Sequence, residues 1–565
     1  MQLNGASLLI ELLQRQGIEI VAGIPGGANL PLYDALGRSR LRHVLVRHEQ
    51  AGGFLAQGIA RSTGNAAACF ATSGPGATNL LTAIADAKLD SIPIVAVTGQ
   101  VPTGLIGTDA FQEVDTYGMS IPVTKHNFLV RSAAELLEVV PEAFRLALSG
   151  RPGPVLIDVP KDVQNARIDV ERLPEPGTAD APPEPDGAVL AAMARMIAAA
   201  ERPLLYVGGG VVASGAEEEV RALSAACGIP VVCTLMGLGI MPPEDAGFLG
   251  MLGMHGSLAT AHAVDRTDLL IALGVRFDDR ATGAIAGFAP RARVIHLDID
   301  EAEIGKIRRP DLSAGCDVKR ALKRLNRLVA RAERSEWRAE IQALRAGHSL
   351  ALGEEESHPG NLVRRLAALS PSDAVVSVDV GQHQMWAAQW WPVRRTRTFL
   401  TSGGLGSMGF SVPAGMGAAL ANPDRPVIVL TGDGSLLINI QELATIAENN
   451  LDVRICVLNN GHLGLVRQQQ ELFYGERYVA SRFESRPDYA AIARGFGMRG
   501  HTLRLPYDEA ELGAALEGRG PVLLDIEVPE TQNVYPMVPP GKSNVEAITD
   551  APVAGTAGAA GRSRA

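Results

Sequence analysis

Residues 427–460, VIVLTGDGSLLINIQELATIAENNLDVRICVLNN, decide how this chain is read. A hydrophobic run ends in Gly432-Asp433-Gly434-Ser435, a helical pattern follows, and a second hydrophobic run ends in Asn459-Asn460. Strand, helix and strand in so short a span form one β-α-β unit, which lays two parallel strand ends side by side. Asp433 and Asn460 then offer two oxygens to a hard divalent cation. Such a cation takes few protein ligands and completes its octahedron with phosphate oxygens and water. The glycines let a phosphate approach backbone N–H groups. The plainer reading is a strand–turn with Asp and Asn as turn formers. The paired strand ends favour the cation site.

The same alternation extends in both directions. Toward the N-terminus a helical pattern at 6–16 leads to a strand at 18–24 and the turn PGG (25–27). A strand near 43–46 then runs into a small-residue helix, and AACFAT (67–72) and IPIVAVTG (92–99) follow. The Pro- and acid-rich RLPEPGTADAPPEPDG (172–187) reads as a linker, as does GEEESHPG (353–360). Between them PLLYV, VVCTLM, DLLIALGV and RVIHLDID repeat the strand pattern. The expected organisation is an α/β chain of three doubly wound parallel-sheet domains at 1–170, 188–335 and 361–548, with a disordered tail at 551–565.

Composition agrees with that class. The 565 residues fit three or four domains at about 150 residues each. Hydrophobic residues make up 46% and charged residues 20%, enough for large cores and too apolar for wholesale disorder. The net charge of −10 without a long basic run argues against nucleic acid or an anionic membrane as partner. Five cysteines with no CxxC pair form neither a disulfide framework nor a zinc knuckle, which fits a reducing cytoplasm. The N-terminus lacks a basic leader and Glu11 interrupts its apolar stretch, so it does not read as a signal peptide.

GDGS followed by NN at this distance resembles the motif of thiamine-diphosphate enzymes. HEQAGGFLAQGIAR (48–61), TSGPGATN (72–79) and GQHQMW (381–386) are similar to segments of the same superfamily. With RFDDR (276–280), NNGHLGLVRQQQ (459–470) and VYPMVPPG (534–541), the chain resembles the catalytic subunits of acetolactate (acetohydroxyacid) synthases over nearly its whole length. The resemblance implies a pyrimidine-binding domain, a central FAD-binding domain and a diphosphate-binding domain. It also implies thiamine diphosphate, Mg²⁺ and a non-redox FAD, at least a homodimer with active sites at the subunit interface, and a small regulatory subunit. The implied reaction decarboxylates pyruvate and adds the two-carbon unit to a second 2-oxo acid, in branched-chain amino-acid biosynthesis.

Site residues follow from the same resemblance. Glu49 matches the catalytic carboxyl that hydrogen-bonds the thiamine aminopyrimidine and promotes its imino form; on its own it reads as a helix-start acid favoured by the macrodipole. Asp433, Asn460 and the backbone carbonyl of His462 match the Mg²⁺ shell. Gly381, Gln382, His383, Gly434 and Ser435 match diphosphate contacts, and Pro25, Gly26 and Gly27 a further cofactor turn. Met408 matches the residue that props thiamine into its V shape, and the Gly406 carbonyl faces the amino group. Gln112, Lys161 and Arg280 match the substrate pocket, where a guanidinium suits the acceptor's carboxylate.

The central segment carries Gly208, Gly209 and Gly210 after a strand, loosely a dinucleotide turn. The acid expected after the next strand is missing from IPVVCTLMG, so NAD is not supported. The resemblance places FAD here, against Thr234, Leu235, Met236, Gly253, Met254, His255, Arg276, Asp298 and Asp300. GKS (541–543) looks like part of a phosphate loop, but Pro536 stands where its first glycine belongs. Many relatives have Trp where this chain has Gln469. Together with Leu465 and Val466, that residue is expected to set acceptor selectivity, leaving 2-oxobutyrate less favoured over pyruvate. Rival readings are a plain decarboxylase or oxidase, a silent scaffold, and a flavin dehydrogenase.

Overall fold

The computed structural model describes residues 1–350, 352 and 357–549. Residues 353–356 of the expected linker at 353–360, and the whole of the tail at 551–565, lie outside the described residues. Among the described residues the chain forms three six-stranded sheets, each entirely parallel, and one antiparallel pair that ties Gln2–Asn4 to Arg167–Asp169.

From edge to edge the first sheet runs Arg42–Leu45, Ile20–Gly23, Ala67–Ala71, Ile94–Gln100, Val155–Pro160 and His126–Leu129. The third runs Phe399–Thr401, Val375–Val378, Val427–Gly432, Val453–Asn459, Val522–Glu527 and Arg499–Leu503. Counted along the chain, both have the strand order 2-1-3-4-6-5. The second sheet, Phe248–Met251, Val231–Cys233, Pro203–Val207, Leu269–Leu273, Arg293–Asp298 and Leu312–Gly315, has the order 3-2-1-4-5-6. Each order reverses at its first strand, the first and third reversing again at the far edge, and loops leaving the two strands on either side of that first reversal diverge to opposite faces, opening a crevice beyond their carboxyl ends. These switch points lie between Ile20–Gly23 and Ala67–Ala71, between Pro203–Val207 and Leu269–Leu273, and between Val375–Val378 and Val427–Gly432.

Central strands such as Ala67–Ala71, Leu269–Leu273 and Val427–Gly432 are buried along their whole length, as helices on both faces require. The first and third domains share one core. Helix Glu49–Thr63 crosses helix Ser411–Ala421, and Phe54 meets Phe410 edge-on with ring centroids 5.4 Å apart. All five cysteines are buried and free. No helix among the described residues is long and apolar enough to cross a membrane.

One expectation needs correcting. The span between Asp433 and Asn460 holds two short helices, Asp433–Ile438 and Glu442–Glu448, rather than one. Asn439 interrupts them by turning its amide outward to donate to the Gly409 carbonyl at 2.7 Å.

Candidate active site

The deciding β-α-β unit folds as its pattern requires. Val427–Gly432 pairs in parallel with Val453–Asn459, with Gly432 opposite Leu458. Asp433 and Asn460 therefore emerge at neighbouring strand ends, and the Gly461 amide beyond them donates to Asn459 Oδ1 at 3.3 Å. Burial pushes the Asp433 carboxyl up to about 7, opposed by the nearby backbone amides of Gly434, Asp433 and Gly461. A divalent cation would favour the ionised form instead. Asn460 donates to Gln382 Oε1 at 3.1 Å and accepts the His462 amide at 3.0 Å. The His462 ring turns back to the Asn460 carbonyl, at 2.9 Å. Ser435 Oγ donates to the Val380 carbonyl at 3.1 Å, so the GDGS turn and Gly381-Gln382-His383 face one another across the third switch point.

His383 lies at the base of this crevice. A Cβ on Gly381 would stand 2.5 Å from its ring, and one on Gly432 would stand 3.0 Å away. Burial pushes the imidazole well below its usual range, keeping it neutral. Its Nε2 is buried without a partner. In the loop before helix Ser411–Ala421, Gly406 adopts φ +72° and Met408 is half-buried.

The first switch point has a comparable build. Glu49 opens helix Glu49–Thr63, is 8% exposed, and accepts from Asn79 Nδ2 at 3.0 Å. Thus it is both the helix-start acid and a buried carboxylate beside the TSGPG turn. A Cβ on Gly26 of the Pro25-Gly26-Gly27 turn would strike Thr72. The Thr72 hydroxyl is buried and unpartnered. Gln112 packs its backbone against Gly74 with φ +58°, and Lys161 begins the short helix after Val155–Pro160.

At the second switch point a cavity of about 930 Å³ opens onto all three domains. Its wall includes Gly208, Gly209, Gly210, Thr234, Leu235, Met236, Met254, His255, Arg276, Arg280 and Asp298. Thr234 Oγ1 is a third buried, unpartnered atom. Burial pushes Asp298 up to about 6 and His255 down to about 4, the latter donating from Nδ1 to the Pro536 carbonyl at 2.9 Å. Gly253 packs on the Arg280 backbone, and Asp300 pairs with Arg151 at 3.1 Å. Leu465 and Gln469, one turn apart on helix Gly464–Phe473, also line the cavity, while Val466 points away and is 45% exposed.

The segment after Val522–Glu527 brings these parts together. Gln468 exchanges hydrogen bonds with the backbone of Val534 at 2.8 and 2.9 Å, and the Val538 amide donates to the Met254 carbonyl. Farther on, Asn544 holds the Ala281 carbonyl and Lys542 accepts from the Ala284 amide. This strap ties the loop of Arg280 to the third domain. Within it GKS serves as a helix cap, with Ser543 and Glu546 forming a capping box.

The single chain thus assembles Asp433, Asn460 and Gly381 to His383 at one crevice, and Arg280, Leu465 and Gln469 on one cavity. Among the described residues, the cavity wall does not include Glu49, Gln112 or Lys161. Sequence reading did not single out Thr72, Asn79 or Arg151. Thr72 and Asn79 lie inside the TSGPGATN motif, which was the available signal; Arg151 carried none.

Three parallel sheets, each with a crevice at its switch point, are matched by the models of the thiamine pyrophosphate enzyme family. Its N-terminal TPP binding domain model matches residues 3–119, its central domain model 190–325, and its C-terminal TPP binding domain model 379–526. The chain is 50% identical over 550 residues to acetolactate synthase isozyme 1 large subunit of Escherichia coli (strain K12), covering 96% of this chain and 97% of that protein. It is 46% identical to isozyme 2 large subunit of the same organism (97% and 99% covered) and 46% identical to chloroplastic acetolactate synthase 1 of Zea mays (97% and 89%). The chain belongs to the acetolactate synthase large-subunit family.

Proposed function

We propose that this chain is an acetolactate synthase catalytic subunit, a transferase joining two pyruvates into acetolactate with loss of CO₂, for valine and leucine supply and, less selectively, isoleucine supply. The full-length likeness to acetolactate synthase large subunits carries this reading. Thiamine diphosphate, when bound, supplies the electron sink that decarboxylation needs. The residues present fit it: His383 Nε2 and Thr72 Oγ1 are buried polar atoms awaiting partners at the two crevices where its ends would lie. Mg²⁺ fits Asp433, Asn460 and the His462 carbonyl. Among the described residues no group of three or more His, Cys, Asp or Glu is placed to hold a metal ion, so that centre draws on one carboxylate, one amide and backbone.

Glu49 holds a proton-sharing carboxyl at the aminopyrimidine, with Asn79 orienting it. Arg280 orients the acceptor's carboxylate, and Gln112 and Lys161 hold substrate oxygens. Glu49 and Asp433 sit at separate crevices within one chain, so the reading requires a homodimer in which each site takes one crevice from each protomer. FAD fits the cavity through the Gly208–Gly210 turn, Thr234 and Asp298. It has no redox duty, because two pyruvates balance acetolactate and CO₂ without electron transfer. A small regulatory subunit and a cytoplasmic setting complete the reading.

The test is an acetolactate assay with pyruvate, with and without thiamine diphosphate, Mg²⁺ and FAD. Acetolactate that depends on all three is expected. Gas without acetolactate would favour a decarboxylase, bleaching of bound FAD a dehydrogenase, and no thiamine-dependent turnover a silent scaffold.

A further inference from the structure

Between strand Phe399–Thr401 and helix Ser411–Ala421 the loop Gly403-Gly404-Leu405-Gly406 is exposed, yet its ends are anchored in buried charge. Its first anchor comes from another domain. The hydroxyls of Ser402 and Ser407 both donate to Asp86 Oδ1, the latter at 3.1 Å. The amides of Gly403 and Gly404 donate to the two oxygens of Asp90 at 3.0 and 2.7 Å. Asp86 and Asp90 lie one turn apart at the end of helix Pro75–Leu89 in the first domain.

Arg61 bridges them, with Nη2 at 3.2 Å from Asp86 and 2.7 Å from Asp90. Its own place is fixed by Gln57, by the Thr401 carbonyl, and by the Phe410 ring 5.0 Å away. All three charged side chains are at most 4% exposed. Two buried carboxyls share one guanidinium, and the loop's hydroxyls and amides donate hydrogen bonds to their oxygens. An apolar contact would dock the domains as firmly without fixing those amides. At the far end Asp379 accepts from the Gly409 amide and from the amide and hydroxyl of Ser411, all within 2.9 Å. Gly406 lies within the first anchored stretch, between Gly404 and Ser407, and Met408 lies between that stretch and the Asp379 anchor.

We propose that Arg61, Asp86 and Asp90 are positioning residues for this loop, so that the first domain sets the placement of Gly406 and Met408 in the third. The proposal rests on the reading of those two residues as thiamine contacts. The network is a latch with a defined geometry rather than a general domain contact.

Hydrogen exchange on the cofactor-free full chain tests it. In Asp90→Asn and, as a milder variant, Ser402→Ala, amides of 402–408 should exchange at least tenfold faster, with those of 432–438 unchanged. Glu340→Gln, which removes a paired carboxylate in the second domain, should change neither. With thiamine diphosphate and Mg²⁺ added, both loop variants should slow exchange of the thiamine C2 proton several-fold without loss of Mg²⁺ affinity. Wild-type amide exchange across 402–408 in both variants would overturn the positioning role. Met408→Ala separates the two claims. It should slow C2-proton exchange while the loop stays protected, and wild-type C2 exchange there would overturn the cofactor contact, leaving the amide data to judge the latch.

Discussion

Gly58 lies against Ala414 so closely that a Cβ on the glycine would stand 2.0 Å from the Ala414 carbonyl oxygen. The contact is reciprocal, since a Cβ on Gly417 would stand 2.0 Å from the Leu55 carbonyl oxygen. Helices Glu49–Thr63 and Ser411–Ala421 therefore meet backbone to backbone, and that contact fixes the first domain on the third. The crossing brings the end of one helix, with Arg61, close to the loop that precedes the other.

Gly58→Ala should part the two helices, because the obstacle is backbone and cannot rotate away. Overpacking of this kind costs about 1–3 kcal/mol, which outweighs the roughly 1 kcal/mol of helix propensity that alanine gains. A lower thermal midpoint is expected. Gly417→Ala in addition should cost less than it does alone, since the gap is already open. Gly347→Ala, where a Cβ meets nothing within 4 Å, should be neutral or stabilising. Calorimetry of the three variants decides; a Gly58→Ala protein as stable as Gly347→Ala would refute the account.

Glu49→Gln keeps the size of the side chain and its contact with Asn79, but removes the proton-sharing carboxyl. Cofactor should still bind, while exchange of the thiamine C2 proton into D₂O slows by about 10²–10⁴-fold, the usual worth of positioned acid–base chemistry. The measurement is acid-quenched NMR. An unchanged rate would remove Glu49 from the proposed role.

What the sequence made legible were features written in contiguous residues. The strand–GDGS–strand–NN unit could be read locally because Asp433 and Asn460 sit at strand ends, and strand ends are marked by glycine and asparagine. The break at Asn439 could not, because its partner Gly409 is thirty positions away. The latch was invisible for the same reason. Asp86 and Asp90 lie 25 and 29 positions from Arg61, and Ser402 lies 316 from Asp86, so each reads alone as an ordinary surface polar residue. Similarly, nothing local to Val466 tells that it points away while Leu465 and Gln469 line the cavity. Helix phase relative to a distant domain decides that.

Asp158 supplies a pH dependence. It is buried between strands, accepting from Thr98 Oγ1 at 2.7 Å and Gln100 Nε2 at 3.0 Å, and burial pushes its carboxyl from 3.8 up to about 7. Between those values the folded chain holds a proton that the unfolded chain has released, so this group's contribution to stability falls as pH rises and levels off above about 7. Asp158→Asn stays neutral throughout. Relative to wild type it should gain stability as pH goes from about 4 to about 7, by up to about 1.4 kcal/mol per pH unit. Denaturant unfolding at a series of pH values measures this, and a pH-independent difference would show that Asp158 is ionised in the fold.

Gln469 bears on which acceptor the proposed enzyme prefers. It lines the same cavity as Arg280, Met254 and Leu465, one helical turn from Leu465. If Arg280 holds the acceptor's carboxylate as proposed, the acceptor's alkyl end would be directed along the cavity wall. An indole at position 469 would give the extra methylene of 2-oxobutyrate an apolar surface, whereas the shorter glutamine carries an amide that is better hydrated than buried against an ethyl group. One methylene in a good hydrophobic pocket is worth about 1–3 kcal/mol, or roughly 10- to 200-fold in selectivity. With most of that lost, the wild-type enzyme should show little preference between the two acceptors, and Gln469→Trp should raise the preference for 2-oxobutyrate at least tenfold. The measurement is a competition assay that quantifies acetohydroxybutyrate against acetolactate at fixed pyruvate. Val466→Ala, on the exposed side of the same helix, should leave the ratio alone. A strong wild-type preference for 2-oxobutyrate, or an unchanged ratio in Gln469→Trp, would place the selectivity elsewhere on the cavity wall.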